Sequence, residues 1–91
     1  MTVEARTLLA RLRTDRAWVE QAARSEGITN LRVTPTGRLL VGAGEGASYL
    51  SLSRFLVRLD ERLGLNVERA SFDPPAVPDW EREEYEQAEA I

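Results

Sequence analysis

The stretch from Arg38 to Ala70 constrains the fold of this chain more than any other part of it. It begins with the apolar run Leu39-Leu40-Val41, continues through a glycine-rich loop, and then shows helical periodicity up to another glycine. An uninterrupted apolar run of this length is typical of a strand that is covered on both faces of its sheet. The stretch therefore predicts a strand, a loop, an amphipathic helix and a second strand, in that order.

The central helix has the clearest signal in the chain. Its apolar residues recur at i, i+3, i+4, i+7 and i+11, which places them on one helix face; they are Leu52, Phe55, Leu56, Leu59 and Leu63. Ser48 or Ser51 is suited to cap the N-terminus, and Gly64 is suited to end the helix. We expect a helix over residues 48–63 and a strand over residues 66–72.

The residues before this stretch predict a helix and a hairpin. Residues 2–26 show helical spacing, which slips at Thr14-Asp15 and permits either one bent helix or two short ones. A Pro-Thr-Gly turn joins two apolar runs, which predicts a β-hairpin over residues 31–42.

The residues after it predict a crossing segment and a last helix. Asp73 to Pro78 contains three prolines, which exclude helix and central strand. Asp79 is suited to cap a helix over residues 79–90. The expected fold is a single domain over residues 1–91 of the α/β class, more narrowly α+β. It comprises a small three-stranded mixed sheet with an N-terminal helix, one central amphipathic helix and a short C-terminal helix.

Residue types that are missing from the chain exclude several kinds of chemistry. There is no cysteine and no histidine, and all 12 basic residues are arginine. Disulfides, thiol catalysis, histidine bases, Cys/His zinc sites and lysine-based phosphate or Schiff-base chemistry are therefore excluded. The serines near the central helix have no histidine or lysine that would act as their base, so we predict that they cap the helix. We predict no catalytic residue and no cofactor.

The net charge and the apolar runs bear on the partners of the chain. A net charge of −3 argues against a nucleic-acid partner. No apolar run approaches the ~20 residues of a membrane span, and the N-terminus does not have the pattern of a signal peptide. We therefore expect a cytoplasmic protein that does not enter a membrane and that has a protein partner or forms a homo-oligomer.

The glycine-rich loop is a candidate nucleotide site. Gly42, Gly44 and Ala47 fit the G-x-G-x-x-[GA] pattern between a strand and a helix, where a pyrophosphate is bound in dinucleotide-binding proteins. The candidate nucleotide-binding residues are Gly42, Gly44, Gly46 and Ser48. Glu45 lies inside the loop and would repel a phosphate, and the chain is short for a two-halved dinucleotide fold. A plain connecting loop is the alternative.

The acidic residues do not form the pattern of a two-metal site. Such a site needs two or three converging carboxylates. From Arg32 to Leu59 the sequence has one acidic residue, Glu45. No Asp-x-Asp pair lies on a predicted strand, and we predict no metal site. The last helix is acidic, which suits either a solvated face or a face for a basic partner. Its candidate interaction residues are Trp80, Glu83, Glu84 and Tyr85.

The order of these features resembles the minimal nucleotidyltransferase family. The resemblance is carried by Leu39-Leu40-Val41, the loop, a Ser-x-Leu start to a leucine-rich charged helix, a glycine before Leu65-Asn66-Val67-Glu68, and then Asp73-Pro74. The family consists of small bacterial proteins with a DNA-polymerase-β-like core, many of which pair with a HEPN-type partner as toxin and antitoxin. The opening helix and the strand Leu31-Arg32-Val33 are similar to the opening of that fold.

The chain departs from the family where the family has its catalytic motifs. After Val33 the family has a Gly-Ser motif, a short helix and an Asp-x-Asp strand, whereas this chain continues with the turn Thr34-Pro35-Thr36-Gly37-Arg38. Only Glu68 matches a position at which the family carries its third acid. The resemblance thus implies a degenerate, catalytically inactive member that keeps its interaction surface, as an antitoxin-like or accessory subunit.

Two other functions remain open from the sequence. The first is a small nucleotide-binding protein that uses the loop from Gly42 to Ser48. The second is a homodimeric structural module, in which Leu39 to Val41 or the Leu52 face of the central helix seals a subunit interface.

Overall fold

A computed structural model describes residues 1–73 and 77–91. In chain order the helices are α1 (Val3–Thr14), α2 (Arg16–Ser25), α3 (Tyr49–Leu63) and α4 (Asp79–Glu86). The strands are β1 (Ile28–Val33), β2 (Leu39–Ala43), β3 (Ala70–Phe72) and β4 (Glu89–Ala90). The middle part of the predicted crossing segment, residues 74–76, lies outside the described residues. No helix within the described ranges has both the length and the apolar character needed to cross a bilayer.

The N-terminal region forms two helices, which decides between the two alternatives that the sequence leaves open. The Thr2 side chain accepts a hydrogen bond from the Ala5 amide (3.1 Å) and caps α1. The break falls at Asp15, whose side chain makes no capping hydrogen bond to α2. The Thr14 hydroxyl donates back to the Ala10 carbonyl (2.8 Å), so neither residue at the break caps the second helix with its side chain.

Strands β1 and β2 form the antiparallel hairpin at the centre of the sheet. The turn closes through hydrogen bonds from the Gly37 amide to the Thr34 carbonyl (3.0 Å) and from the Thr34 amide to the Arg38 carbonyl (2.9 Å). Gly37 has a φ of 92°, which residues with a Cβ rarely adopt. Leu39, Leu40 and Val41 are all fully buried, as the uninterrupted apolar run predicts for a strand that is covered on both faces.

Helix α3 shows both of its predicted ends. Ser48 and Ser51 form a reciprocal capping box, and Gly64 ends the helix in the left-handed conformation with a φ of 66°. Its apolar face packs with α1, α2 and one face of the hairpin; the α3 residues in this core are Leu52, Phe55, Leu59 and Leu63.

The sheet has four strands in the order β3-β2-β1-β4. The prediction of three strands was therefore one strand too few. β3 pairs in parallel with β2, and β4 pairs antiparallel with β1. The additional strand has only two residues, Glu89 and Ala90, and a segment this short has no periodicity that a sequence can display.

The predicted element bounds also shift near the C-terminus. The strand expected over 66–72 pairs only over Ala70–Phe72, and the helix expected over 79–90 ends at Glu86. The chain turns at Gln87 because its last residue, Ile91, is 8% exposed and belongs to the core. Arg13 donates to the Ala90 carbonyl (2.7 Å) and Arg16 to the Ile91 carbonyl, which hold the terminus beside α1 and α2.

We predict that Phe55→Ala lowers the free energy of unfolding by about 3–5 kcal/mol, because Phe55 is completely buried and its removal leaves a cavity. Urea denaturation followed by circular dichroism measures the change. Val57→Ala on the same helix is the control, because Val57 is 54% exposed, and it is expected to change stability by less than about 0.5 kcal/mol. Equal effects of the two substitutions would contradict the assigned core.

Candidate functional site

Several polar side chains meet helix α4 on the sheet face opposite α1, α2 and α3. On β1, Leu31 and Val33 belong to the core beneath the helices, and Arg32 between them points to the other face. The Arg32 guanidinium forms an ion pair with Asp73 (Nη2 to Oδ2, 2.5 Å) and donates to the Tyr85 carbonyl of α4 (3.3 Å). Arg32 therefore connects the end of β3 and helix α4 across this face.

A second set of polar contacts surrounds Glu84 of α4. We call Thr34, Thr36, Arg38, Arg69 and Glu84 the Glu84 cluster. The Thr36 hydroxyl donates to Glu84 Oε1, and Arg69 Nη2 lies 3.9 Å from the same oxygen. The hydroxyls of Thr34 and Thr36 are 3.3 Å apart, and Arg69 Nη1 donates to the Thr36 carbonyl (3.3 Å). The cluster thus places hydroxyl and guanidinium donors around one carboxylate.

The cluster stabilises the charged form of Glu84. The hydrogen bond from Thr36 is the largest cause that lowers the pKa of the Glu84 carboxyl; partial burial opposes it. Hydrogen bonding to Thr34 and the positive charges of Arg69 and Arg38 lower this pKa further. The net direction is a pKa below the usual value for glutamate, so Glu84 is ionised at neutral pH.

The four candidate interaction residues of α4 point in different directions. Trp80 is 81% exposed and Glu83 is exposed, so both are open to a partner. Glu84 is half-buried in the cluster, and Tyr85 is half-buried with its carbonyl bound to Arg32. The structure therefore brings together Glu84 and Tyr85 on the sheet side of α4 and leaves Trp80 and Glu83 in solvent.

The glycine-rich loop uses its backbone for internal contacts. The Gly44 amide donates to the Gly27 carbonyl (2.8 Å), the Ala47 amide to the Gly44 carbonyl (3.2 Å), and the Ser48 amide to the Ser51 hydroxyl (3.3 Å). These amides are committed within the chain. A phosphate site of the dinucleotide type would need such donors to point at the ligand.

Close packing explains two of the glycines in the loop. A Cβ on Gly42 would lie 2.5 Å from the Asn30 side chain, and one on Gly44 would lie 2.8 Å from Thr29 Cγ2 and 3.0 Å from the Gly27 carbonyl oxygen. Gly46 has a φ of 86° and no neighbouring atom within 4 Å of a built Cβ. The contacts account for Gly42 and Gly44 without a ligand, and nucleotide binding by the loop stays a prediction.

Glu68, the acid that the family resemblance singles out, lines a different region. It borders an open groove of about 500 Å³ between the first turns of α1 and the segment that leads into β3. Glu4 and Arg69 also line this groove. Within residues 1–73 and 77–91, no three acidic side chains come together in a group that could hold a metal ion.

Arg32, Thr36 and Arg69 were not among the residues singled out from the sequence. Arg32 had a detectable signal, because a charged residue between two apolar residues of a strand must face a polar or paired environment. Thr36 and Arg69 had none, since they lie in a turn and at a strand start that meet only in three dimensions.

Comparison with known proteins identifies the fold. The chain is similar to a solved structure that carries the provisional description of a minimal nucleotidyltransferase, with a TM-score of 0.62 and 25% sequence identity over 91% of this chain and 93% of that one. No family model and no curated protein sequence matches the chain. The chain therefore has a minimal-nucleotidyltransferase-like fold, which confirms the resemblance inferred from its sequence.

We predict that the Glu84 carboxyl titrates below the usual range for glutamate in the folded protein, and that Thr36→Val raises its midpoint, because the hydrogen bond from Thr36 is the largest stabilising cause. The ¹³C shift of the Glu84 carboxyl, followed against pH, measures both midpoints. The same midpoint in the parent and the variant would contradict the assignment.

The sign of the stability effect follows from the direction of this pKa. A carboxyl whose folded-state pKa is depressed contributes stability above its unfolded pKa, and the contribution is lost as pH falls through the lowered folded value. Acid is therefore expected to weaken the contact between α4 and the sheet.

Proposed function

We propose that this minimal-nucleotidyltransferase-like scaffold is a non-catalytic protein-interaction module, antitoxin-like or an accessory subunit, that acts in the cytoplasm. The observation that carries the proposal is the charge arrangement on the polar face of the sheet. Two-metal phosphoryl transfer needs carboxylates that converge on ions about 3.5–4 Å apart.

The acids on this face engage arginines. Asp73 is paired with Arg32 at 2.5 Å, and Glu84 lies in a cluster with Thr36 and Arg69. To serve as cation ligands, these carboxylates would have to leave their guanidinium partners. Glu68, the remaining acid that the family resemblance points to, lines the groove beside α1. This distribution supports a scaffold that acts through its shape and surface.

The outward side of α4 is the surface that we assign to the partner. Trp80 is 81% exposed, and exposed acidic residues accompany it on the same helix; they are Asp79, Glu83 and Glu86. An exposed tryptophan is a frequent energetic anchor in protein interfaces. The surrounding negative charge favours a basic partner, because complementary charge guides association and selects partners.

A homodimeric module is the second candidate, and it requires a different surface from the one expected. Leu39, Leu40 and Val41 are completely buried within the chain, and the Leu52 face of α3 packs in the core, so neither is free to seal a subunit interface. The exposed apolar residues of α3 supply an alternative surface; they are Tyr49, Leu50 and Val57.

The nucleotide-binding alternative is less well supported by the geometry, because the amides of Gly44, Ala47 and Ser48 are engaged within the chain. A substitution at Gly44 is a poor test of this function, since any Cβ there meets the Gly27 carbonyl and would disturb packing.

We predict no saturable heat when the protein is titrated with ATP in a calorimeter, with or without Mg²⁺, because the acids on the polar face are engaged by arginines. Radiolabelled nucleotide incubated with the protein and Mg²⁺ is expected to leave no label on the protein. Mg²⁺-dependent binding or label transfer would overturn the non-catalytic function. Mg²⁺-independent binding that shifts the amide NMR signals of Gly44, Ala47 and Ser48 would instead support the glycine-rich loop as a nucleotide site.

We predict that Trp80→Ala reduces retention of a basic partner protein at least about tenfold, because truncation of a central aromatic anchor commonly costs 2 kcal/mol or more. The tagged chain is expressed at its native concentration and purified by its tag, and the proteins that it retains are quantified by mass spectrometry. Glu20→Ala, at an exposed acidic position on α2, is the matched control. The absence of a stoichiometric partner, or equal retention by Trp80→Ala and the parent, would contradict the assignment of α4.

A further inference from the structure

The donors of the Glu84 cluster belong to the sheet and its hairpin turn, whereas the carboxylate that they surround belongs to α4. Thr34, Thr36 and Arg38 lie in or next to the turn between β1 and β2, and Arg69 directly precedes β3. The hydroxyl and the guanidinium that contact Glu84, those of Thr36 and Arg69, thus come from the turn and the sheet edge and not from α4. Hydroxyl and guanidinium donors of this kind bind carboxylate and phosphate oxygens alike.

The donors are held in place by contacts that do not involve α4. Thr34 is completely buried, and its hydroxyl accepts a hydrogen bond from the Arg38 amide (2.9 Å) and meets the Thr36 hydroxyl at 3.3 Å. Arg69 is fixed to the turn by its hydrogen bond to the Thr36 carbonyl, and its own carbonyl accepts from the Leu39 amide (2.9 Å). The donor set would therefore persist if Glu84 left it.

Helix α4 is attached lightly enough for Glu84 to leave. None of its residues is buried. The chain on either side is held independently of Glu84: Asp73 pairs with Arg32, and the C-terminus is held by the pairing of β4 with β1 and by burial of Ile91. The Arg69–Glu84 pair is partly exposed, with 46% and 26% of the two side chains accessible, and exposed pairs contribute little to stability.

The 500 Å³ groove borders the Glu84 cluster at two shared residues. Thr36 and Arg69 line both, and the groove walls beyond them include the apolar side chains of Leu8, Leu65 and Val67. Glu4 and Glu68 line the same groove and would repel a second anionic group. A ligand that combines one phosphate with an uncharged, partly apolar substituent would place the phosphate on the donors of the cluster and the substituent against the apolar walls of the groove.

We propose that the Thr36 hydroxyl and the Arg69 guanidinium, with Thr34 positioning the Thr36 hydroxyl, form a binding site for a phosphate monoester, and that the Glu84 carboxylate of α4 occupies this site as an internal competitor. The phosphate replaces the carboxylate on the hydroxyl and guanidinium donors, and the organic group of the ester lies in the groove. Binding then releases the middle of α4 from the sheet while β4 remains paired. This site does not include Trp80 or the exposed acids of α4, so either assignment can fail without the other.

The test uses phenyl phosphate as the probe and the amide NMR signals of Thr36 and Arg69 as the readout. Removing the internal competitor raises the fraction of binding-competent protein, and the apparent Kd falls in proportion. We therefore expect Glu84→Ala to bind phenyl phosphate about five- to tenfold more tightly than the parent. Glu61→Ala, at an exposed acidic position on α3, is the control and is expected to bind as the parent does.

Two further measurements test whether Arg69 is a donor to the phosphate and whether the groove holds the organic group. Arg69→Leu in the Glu84→Ala background is expected to abolish binding, whereas Arg54→Leu, at an exposed position on α3, is expected to leave it unchanged. Inorganic phosphate is expected to bind the same site more weakly than phenyl phosphate. Far-UV circular dichroism confirms that each variant is folded.

Several results would overturn the proposal. They are the absence of binding in folded Glu84→Ala, equal affinity in Glu84→Ala and the parent, and binding that survives Arg69→Leu. Equal affinity for inorganic phosphate and phenyl phosphate would show that the groove does not contribute to ligand binding. Because every readout is ligand binding to the isolated chain, failure here is distinguishable from failure to retain a protein partner.

Discussion

The burial of β2 on both faces is the constraint on which the rest of the structure depends. Leu39 and Val41 pack with α1, α2 and α3, while Leu40 is equally buried on the opposite side of the strand. A central strand without a solvent-facing side requires cover on both faces of the sheet. The three larger helices cover one face, and the C-terminal part of the chain returns over the other as α4. Arg32, the neighbour of Leu40 across the ladder, contacts α4 there.

The two faces are covered by different kinds of interaction. The face beneath α1 to α3 is apolar, and its stability comes from burial of side chains such as Phe55. The face beneath α4 depends on arginine and threonine donors that meet acidic groups and a backbone carbonyl. No solute in the solvent substitutes for the apolar contacts of the first face. A carboxylate held by hydroxyl and guanidinium donors, in contrast, is exchangeable for another oxyanion. This difference makes α4 the part of the fold most open to a ligand.

The likeness to a minimal nucleotidyltransferase concerns the scaffold, and chemistry has to be argued from the side chains on it. On the polar face the described side chains include arginines and threonines, and the acids Asp73 and Glu84 contact a basic and a hydroxyl partner, respectively. A face with this composition favours binding of an anion over coordination of a cation. The assigned interaction surface and the proposed phosphate site share α4, because the same helix presents Trp80 to solvent and Glu84 to the sheet.

Local signals in the sequence determined the central part of the fold. The apolar spacing from Leu52 to Leu63 and the turn around Gly37 act within a few residues, so α3 and the hairpin were predictable from the chain alone. The tertiary structure decided what depends on distant residues. β4 exists because Ile91 is buried against helices more than 65 positions earlier in the chain, and the Glu84 cluster forms because a turn, a strand start and a late helix meet. Neither arrangement has a local periodicity, since each gains its stability only when the sheet has already formed.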